Sequence, residues 1–196
     1  MARYVEVIAA ASQLPWFVTR GSGAVALVLL TISMVLGVPT LLSWGRPYAP
    51  RLVVQLMHRN ISLLVMVFVA IHIATSVVDG FVTIRWIEAV VPFVGTYEPL
   101  WLGLGALSMD CLLAVVLSSI LRSHISYRLW KQIHLLAYAC WPIAVVHTLG
   151  IGTDAGLAWM VVLNVACVVA VLAAVAWRLT ARPVINGGVA IGRAVR

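Results

Sequence analysis

Charge is scarce in this chain. Only 10% of its 196 residues are charged, while 63% are hydrophobic. Soluble domains carry about 25% charged residues, so composition excludes a water-exposed globule of this size. The net charge of +7 comes from 13 basic against 6 acidic residues. No basic run with interleaved aromatics occurs, so nucleic acid is not an expected partner and the excess is read through membrane topology. The three cysteines, Cys111, Cys140 and Cys167, each lie inside an apolar stretch, and none belongs to a CxxC or CxxCH motif. That leaves covalent cofactor attachment and a zinc site without support, and the thiols read as small packing groups. The first 20 residues lack a basic start followed by an apolar run and a small-residue cleavage site, so no cleavable signal peptide is expected.

Long apolar runs are abundant instead. Five are near the ~20 residues needed to cross a bilayer: Ser22 to Trp44, Leu52 to Val78, Leu100 to Leu121, Tyr127 to Leu149 and Gly156 to Trp177. Lipid offers no backbone partners, so these spans should be helices. The expected fold is all-α, a polytopic membrane bundle of five transmembrane helices with a short outer interfacial helix at Ile84 to Val91. Tyr4 to Phe17 reads as a second surface helix, ending near Pro15. The corresponding domain division is 1–20 as an outer segment, 21–178 as the transmembrane domain and 179–196 as a short basic tail. Arg46, Arg51 and Arg59 flank the first connection, and Arg122, Arg128 and Lys131 flank the third. Arg178, Arg182, Arg193 and Arg196 lie at or beyond the end of the fifth span. Asp79, Glu88, Glu98 and Asp154 lie on the opposite side. The positive-inside rule then places the C-terminus in the cytoplasm and the N-terminus outside; the family resemblance given below implies a bacterial cytoplasmic membrane.

Four histidines lie inside two of these spans. His58 and His72 are 14 residues apart in the second, and His134 and His147 are 13 apart in the fourth. At ~1.5 Å rise per residue each pair spans roughly 20 Å. Ionisable groups inside a span are functional-site candidates. The second and fourth spans run in the same direction, which sets His58 level with His134 and His72 level with His147. Bis-imidazole ligation of a haem iron needs two histidines at one level, so the pattern points to a metal cofactor of that kind towards each face. Partners roughly 20 Å apart on one helix cannot share a zinc or copper ion. Fourteen residues at about 100° return to within roughly 40°, whereas thirteen leave an offset of about 140°. Pro142 lies between His134 and His147, and a bend there would turn both rings towards the second span. His124, in the basic loop, reads as solvent-exposed.

The segments RLWKQIHLLAYACWPIAVVHTLGIGTD, FVTRGSGAVALVLLTISMVLGV and IRWIEAVVPF, with the two histidine spacings, resemble the ferric reductase-like transmembrane domain shared by ferric reductases and NADPH oxidases. The resemblance covers roughly residues 16 to 180. It implies two b-type haems, electron transfer across the membrane, and His58, His72, His134 and His147 as ligands to the metal. Larger members have six spans and a cytoplasmic flavin and NADPH domain. The glycine cluster NGGVAIG in the tail has no strand–turn–helix context to make it a nucleotide site. The donor is therefore expected to be a separate protein or a quinol, and bacterial relatives suggest an exported redox partner such as a flavin-binding protein or a methionine sulfoxide reductase. Membrane lipid is the other expected partner.

Haem propionates need basic partners. Arg59, beside His58, is the candidate at the inner level, with Arg51, Arg128 and Lys131 near it, and Arg20 or Arg85 at the outer level. Each of these also serves topology. Asp110, in the middle of the third span, is open to two readings: a proton or quinone role, or a buried carboxyl hydrogen-bonding a neighbour. Gly103 and Gly105 allow close approach of a helix or macrocycle. Tyr138 and Trp141 lie between the two levels, where packing and an electron relay are both open. Two rivals accompany the electron conduit. One is a quinol- or superoxide-linked oxidoreductase, with a quinone as a further cofactor; the other is a haem-free structural subunit.

Overall fold

The computed structural model describes residues 2–41, 51–79 and 82–180, with the side chains of the first helix described from Gln13 to Val38. The described residues form seven helices: α1 (Ala2–Leu41), α2 (Arg51–Val78), α3 (Trp86–Val90), α4 (Pro99–Ile120), α5 (Tyr127–His134), α6 (Ala137–Gly150) and α7 (Ala158–Thr180). Five stretches are long and apolar enough to cross a membrane: Gln13–Val38, Leu52–Val78, Pro99–Ile120, Tyr127–Gly150 and Ala158–Thr180. The protein is therefore an all-α, multi-pass membrane bundle.

Two boundaries differ from the sequence expectation. The first helix is continuous from Ala2, with Pro15 inside it, so the segment before Ser22 is joined to the first span. Helix α1 is described to Leu41, and the rest of the stretch expected to reach Trp44 runs outside the described residues. The short helix α3 is five residues, Trp86–Val90. Arg46, the NGGVAIG segment and the basic tail beyond Thr180 also lie outside the described residues.

Lipid explains the surface. Val162, Val165, Val169 and Leu172 recur at three- and four-residue spacing on α7 and are 55–66% exposed. A continuous apolar face of that kind is an aggregation liability in water but the ordinary surface of a span. The interior holds two apolar clusters. Leu27, Trp141, Val145, Cys167 and Val171 form one, and Val65, Leu112, Val116 and Cys140 the other. Burial of apolar groups does little to associate helices already in lipid, so small residues and side-chain hydrogen bonds join them. Thr19 pairs with Thr75 at 2.8 Å, Ser33 with Ser62 at 2.7 Å, and the Trp141 indole donates to Thr31 at 2.9 Å. The Ser108 hydroxyl donates to the Cys140 carbonyl at 3.0 Å, and Thr148 to Asn164 at 2.7 Å. Helix α1 packs against α2, α6 and α7, while α4 packs against α6. This arrangement places the histidines of α2 opposite those of α5 and α6.

The α3–α4 connection is tightly folded. Phe93 and Glu98 adopt positive φ (66° and 38°), and Pro99 opens α4 where its missing N–H costs nothing. Gly103 is buried against Phe93, leaving no room there for a side chain. Glu88 on α3 is 2% exposed and accepts from the Arg85 Nε at 2.7 Å.

Candidate functional site

The two histidine pairs meet as the depths require. The ring centres of His58 and His134 are 6.2 Å apart, and those of His72 and His147 are 6.5 Å apart. The ring planes are inclined at 64° and 85°. A metal–imidazole bond is about 2.0–2.1 Å, so two imidazoles on opposite sides of one ion have centres roughly 6.3 Å apart. Both pairs fit that separation. Neither pair can hydrogen-bond ring to ring through a single proton at that distance. Among the described residues no group of three or more His, Cys, Asp or Glu side chains could enclose an ion. The donor set at each level is thus two imidazoles, which suits a metal whose other ligands come from a planar macrocycle.

Three of the four rings are oriented from behind. The Nδ1 of His72 lies 2.8 Å from the Thr19 carbonyl, that of His147 lies 2.7 Å from the Trp101 carbonyl, and that of His58 lies 2.9 Å from the Ser33 carbonyl. A carbonyl can only accept, so each Nδ1 carries the proton. Nε2 is left with its lone pair, the form a metal requires. The Ser33 hydroxyl also lies 3.3 Å from His58 Nδ1, and Ser62 donates to the His58 carbonyl at 2.7 Å.

His134 is held differently. Its buried Nδ1 has no hydrogen-bond partner. Its ring is stacked on Trp130, with centres 4.9 Å apart and planes at 26°. The Trp130 indole donates to Ser119 at 3.3 Å, and the Arg122 guanidinium lies 4.3 Å from a Trp130 ring centre.

Local winding reduces the mismatch of the 13-residue spacing. The span breaks into α5 and α6 just after His134. Leu136, Tyr138 and Ala139 each donate to the residue three before, and the Leu135 N–H is shared between Lys131 and Gln132. Such 3₁₀ winding advances about 120° per residue against about 100° in an α-helix, so the three residues recover roughly 60° of the ~140° mismatch. Pro142 sits inside α6. An irregularity that helps realign the two rings therefore precedes the expected bend.

A cavity of about 300 Å³ opens beside His72 and His147. Its lining includes Gly23, Gly105, Arg20, Tyr97, Glu88 and Asp154. Arg20 pairs with Asp154 and lies 3.8 Å from the Trp16 ring centre. Arg20 thus reaches the level of His72, already bound to a carboxylate. Arg59 is exposed on α2, turned about 100° from His58 by helix geometry. Asp110 is partly buried on α4 and does not line the cavity. His124 is exposed, with Ser123 at 3.0 Å from its Nδ1. Trp141 is 7% exposed in the core, and Tyr138 accepts from Arg178 at 3.1 Å. Sequence reasoning did not find the Thr19, Ser33 and Trp101 carbonyls, the Trp130 stack or the buried Glu88. Backbone acceptors leave no residue-type signal of their own.

Fold and histidine geometry together define a class: a multi-pass helical membrane protein with a facing imidazole pair towards each end of the bundle. Residues 22–145 match the family described as ferric reductase like transmembrane component, and the chain belongs to that family. The match includes His58, His72 and His134 and ends two residues before His147. No curated protein and no solved structure matches the chain.

Proposed function

We propose that the protein conducts electrons across the membrane, with His58 and His134 holding one b-type haem and His72 and His147 a second. The observation that carries this is the pair of ring separations, 6.2 and 6.5 Å, each suited to one ion between two imidazoles. A bound haem supplies a one-electron iron couple whose potential follows from its axial ligands and their surroundings. The chain's own residues supply position. Thr19, Ser33 and Trp101 hold the Nδ1 protons, Trp130 holds the His134 ring, and the apolar clusters keep water from the space between the two levels.

In this reading the His58 level faces the cytoplasm and the His72 level faces outward, because Arg122, Arg128 and Lys131 flank the former. The donor is a cytoplasmic-side protein or a quinol, and the acceptor is an extracytoplasmic redox partner. Arg20 and Arg59 are the proposed partners for haem propionates, Arg20 at the His72 level through the cavity it lines. A second reading, a quinol-linked enzyme, draws on one observation: Glu88 lines the same cavity, and its buried Oε2 has no hydrogen-bond partner.

The test is the visible spectrum and haem content of the purified chain. Two low-spin haems per chain support the proposal, and a colourless, iron-free protein contradicts both readings. Reduction of the haems by a water-soluble quinol, lost in Glu88→Gln but retained with dithionite, would favour the second.

A further inference from the structure

Three of the four histidines are met by the same device. The carbonyl that accepts from His72 belongs to Thr19, and Gly23 lies four residues later on α1. The carbonyl that accepts from His147 belongs to Trp101, and Gly105 lies four residues later on α4. Ser33 and Gly37 repeat the register against His58. In a helix the carbonyl of residue i already bonds the N–H of residue i+4, and the side chain at i+4 stands over that carbonyl's outer flank. A ring from another helix can reach the carbonyl's second lone pair only if that flank is bare.

The distances make the requirement strict at one level. A methyl group at Gly23 would lie 2.9 Å from His72 Nδ1 and 3.0 Å from its Cε1. A methyl group at Gly105 would lie 2.7 Å from His147 Nδ1. At Gly37 the nearest ring atom is 3.6 Å away, an ordinary contact. Both rings of the His72–His147 pair are thus gripped from behind, one by α1 and one by α4. His134, whose Nδ1 has no acceptor, rests on Trp130 instead.

We propose that Gly23 and Gly105 are positioning residues: each clears one helix turn so that a neighbouring histidine donates to the carbonyl one turn earlier and presents Nε2 to the metal. This rests on the haem reading above. A Cβ at either position pushes the imidazole off its carbonyl, which frees the tautomer and weakens the ring as a ligand. Orienting partners of metal-bound histidines are worth about 10–100-fold in metal affinity. Gly21 separates this effect from helix propensity. It lies two residues from Gly23 on α1, and a Cβ there meets nothing within 4 Å. Glycine to alanine inside a helix is otherwise favourable.

The experiment compares Gly21→Ala, Gly23→Ala and Gly105→Ala in the full chain, purified with its haem. Haem content, ferric electron paramagnetic resonance and a potentiometric titration are the readouts. Gly23→Ala and Gly105→Ala should each weaken, or shift to higher potential, one of the two haem signals, while the other signal persists and reports an intact fold. Gly21→Ala should keep both. Unshifted signals in Gly23→Ala and Gly105→Ala, equal damage in Gly21→Ala, or equal loss of both signals would overturn the clasp and leave the haem reading standing. An unaltered chain without haem would overturn both.

Discussion

Replacing Trp141 with phenylalanine separates packing from conduction. Trp141 is 7% exposed, packs against Leu27, Val145, Cys167 and Val171, and donates to Thr31 at 2.9 Å. The phenyl ring gives up the indole N–H and part of the bicycle. The hydrogen bond contributes about 0.5–1.5 kcal/mol net. Truncating a buried tryptophan to alanine costs about 3–5 kcal/mol, and the smaller change to phenylalanine roughly 1–2. The expected loss is about 1.5–3.5 kcal/mol. Thr31→Val leaves the indole N–H buried without an acceptor, at about 1–3 kcal/mol. The double variant has neither group. It should cost less than the sum of the singles by about 0.6 kcal/mol, and at most about 1.7, the range measured for such bonds between membrane helices. Unfolding in mixed micelles with rising dodecyl sulfate, followed by circular dichroism, gives the three free energies. Additivity within ~0.3 kcal/mol would refute the bond as a link between α1 and α6. Electron transfer across vesicles should be unchanged in folded Trp141→Phe. A slowed rate in that protein would make the ring a relay.

Three further outcomes follow from the geometry. Asp154→Ala leaves Arg20 without its carboxylate, and since both side chains are mostly buried (22% and 11% exposed) the variant should lose about 1–3 kcal/mol, largely recovered in Arg20→Met/Asp154→Leu; the same unfolding assay reads this, and no recovery contradicts the pairing. Trp130→Ala removes the stack beneath His134 and should alter the spectrum of the His58–His134 level alone; a change confined to the other level contradicts the assignment. Single cysteines at Ser123 and Thr153, in a chain whose own three cysteines are replaced, should react with impermeant thiol reagents from opposite sides, Ser123 from the cytoplasm; labelling of both from one side contradicts the topology.

The spans and the pairing by depth were legible because each depends on a coarse signal. Apolar run length set the five crossings, and helix direction set which histidines share a level. The second span was read at its observed bounds, Leu52–Val78. The first was read from Ser22 because Arg20 and Pro15 look like a boundary. In the fold Arg20 is neutralised by Asp154, and helix α1 continues through both residues. The 13-residue spacing could not be resolved from sequence. It depends in part on 3₁₀ bonds at Leu135–Ala139, which residue type does not announce, whereas Pro142 was visible and drew the expectation to itself. The orienting carbonyls were equally hidden, although Gly23, Gly37 and Gly105 mark where each lies, four residues on. Arg59 adjoins His58 in sequence but diverges from it on the helix, an angular fact that adjacency conceals.

In the proposed arrangement His72 and His147 share one metal centre and His58 and His134 another. Haem-resolved spectra of His72→Ala and His147→Ala distinguish this pairing from any other. The two variants should lose the same single haem signal and keep the same remaining one, with haem content falling from two to one per chain. Loss of different signals in the two variants, or retention of both signals in either, would contradict the pairing.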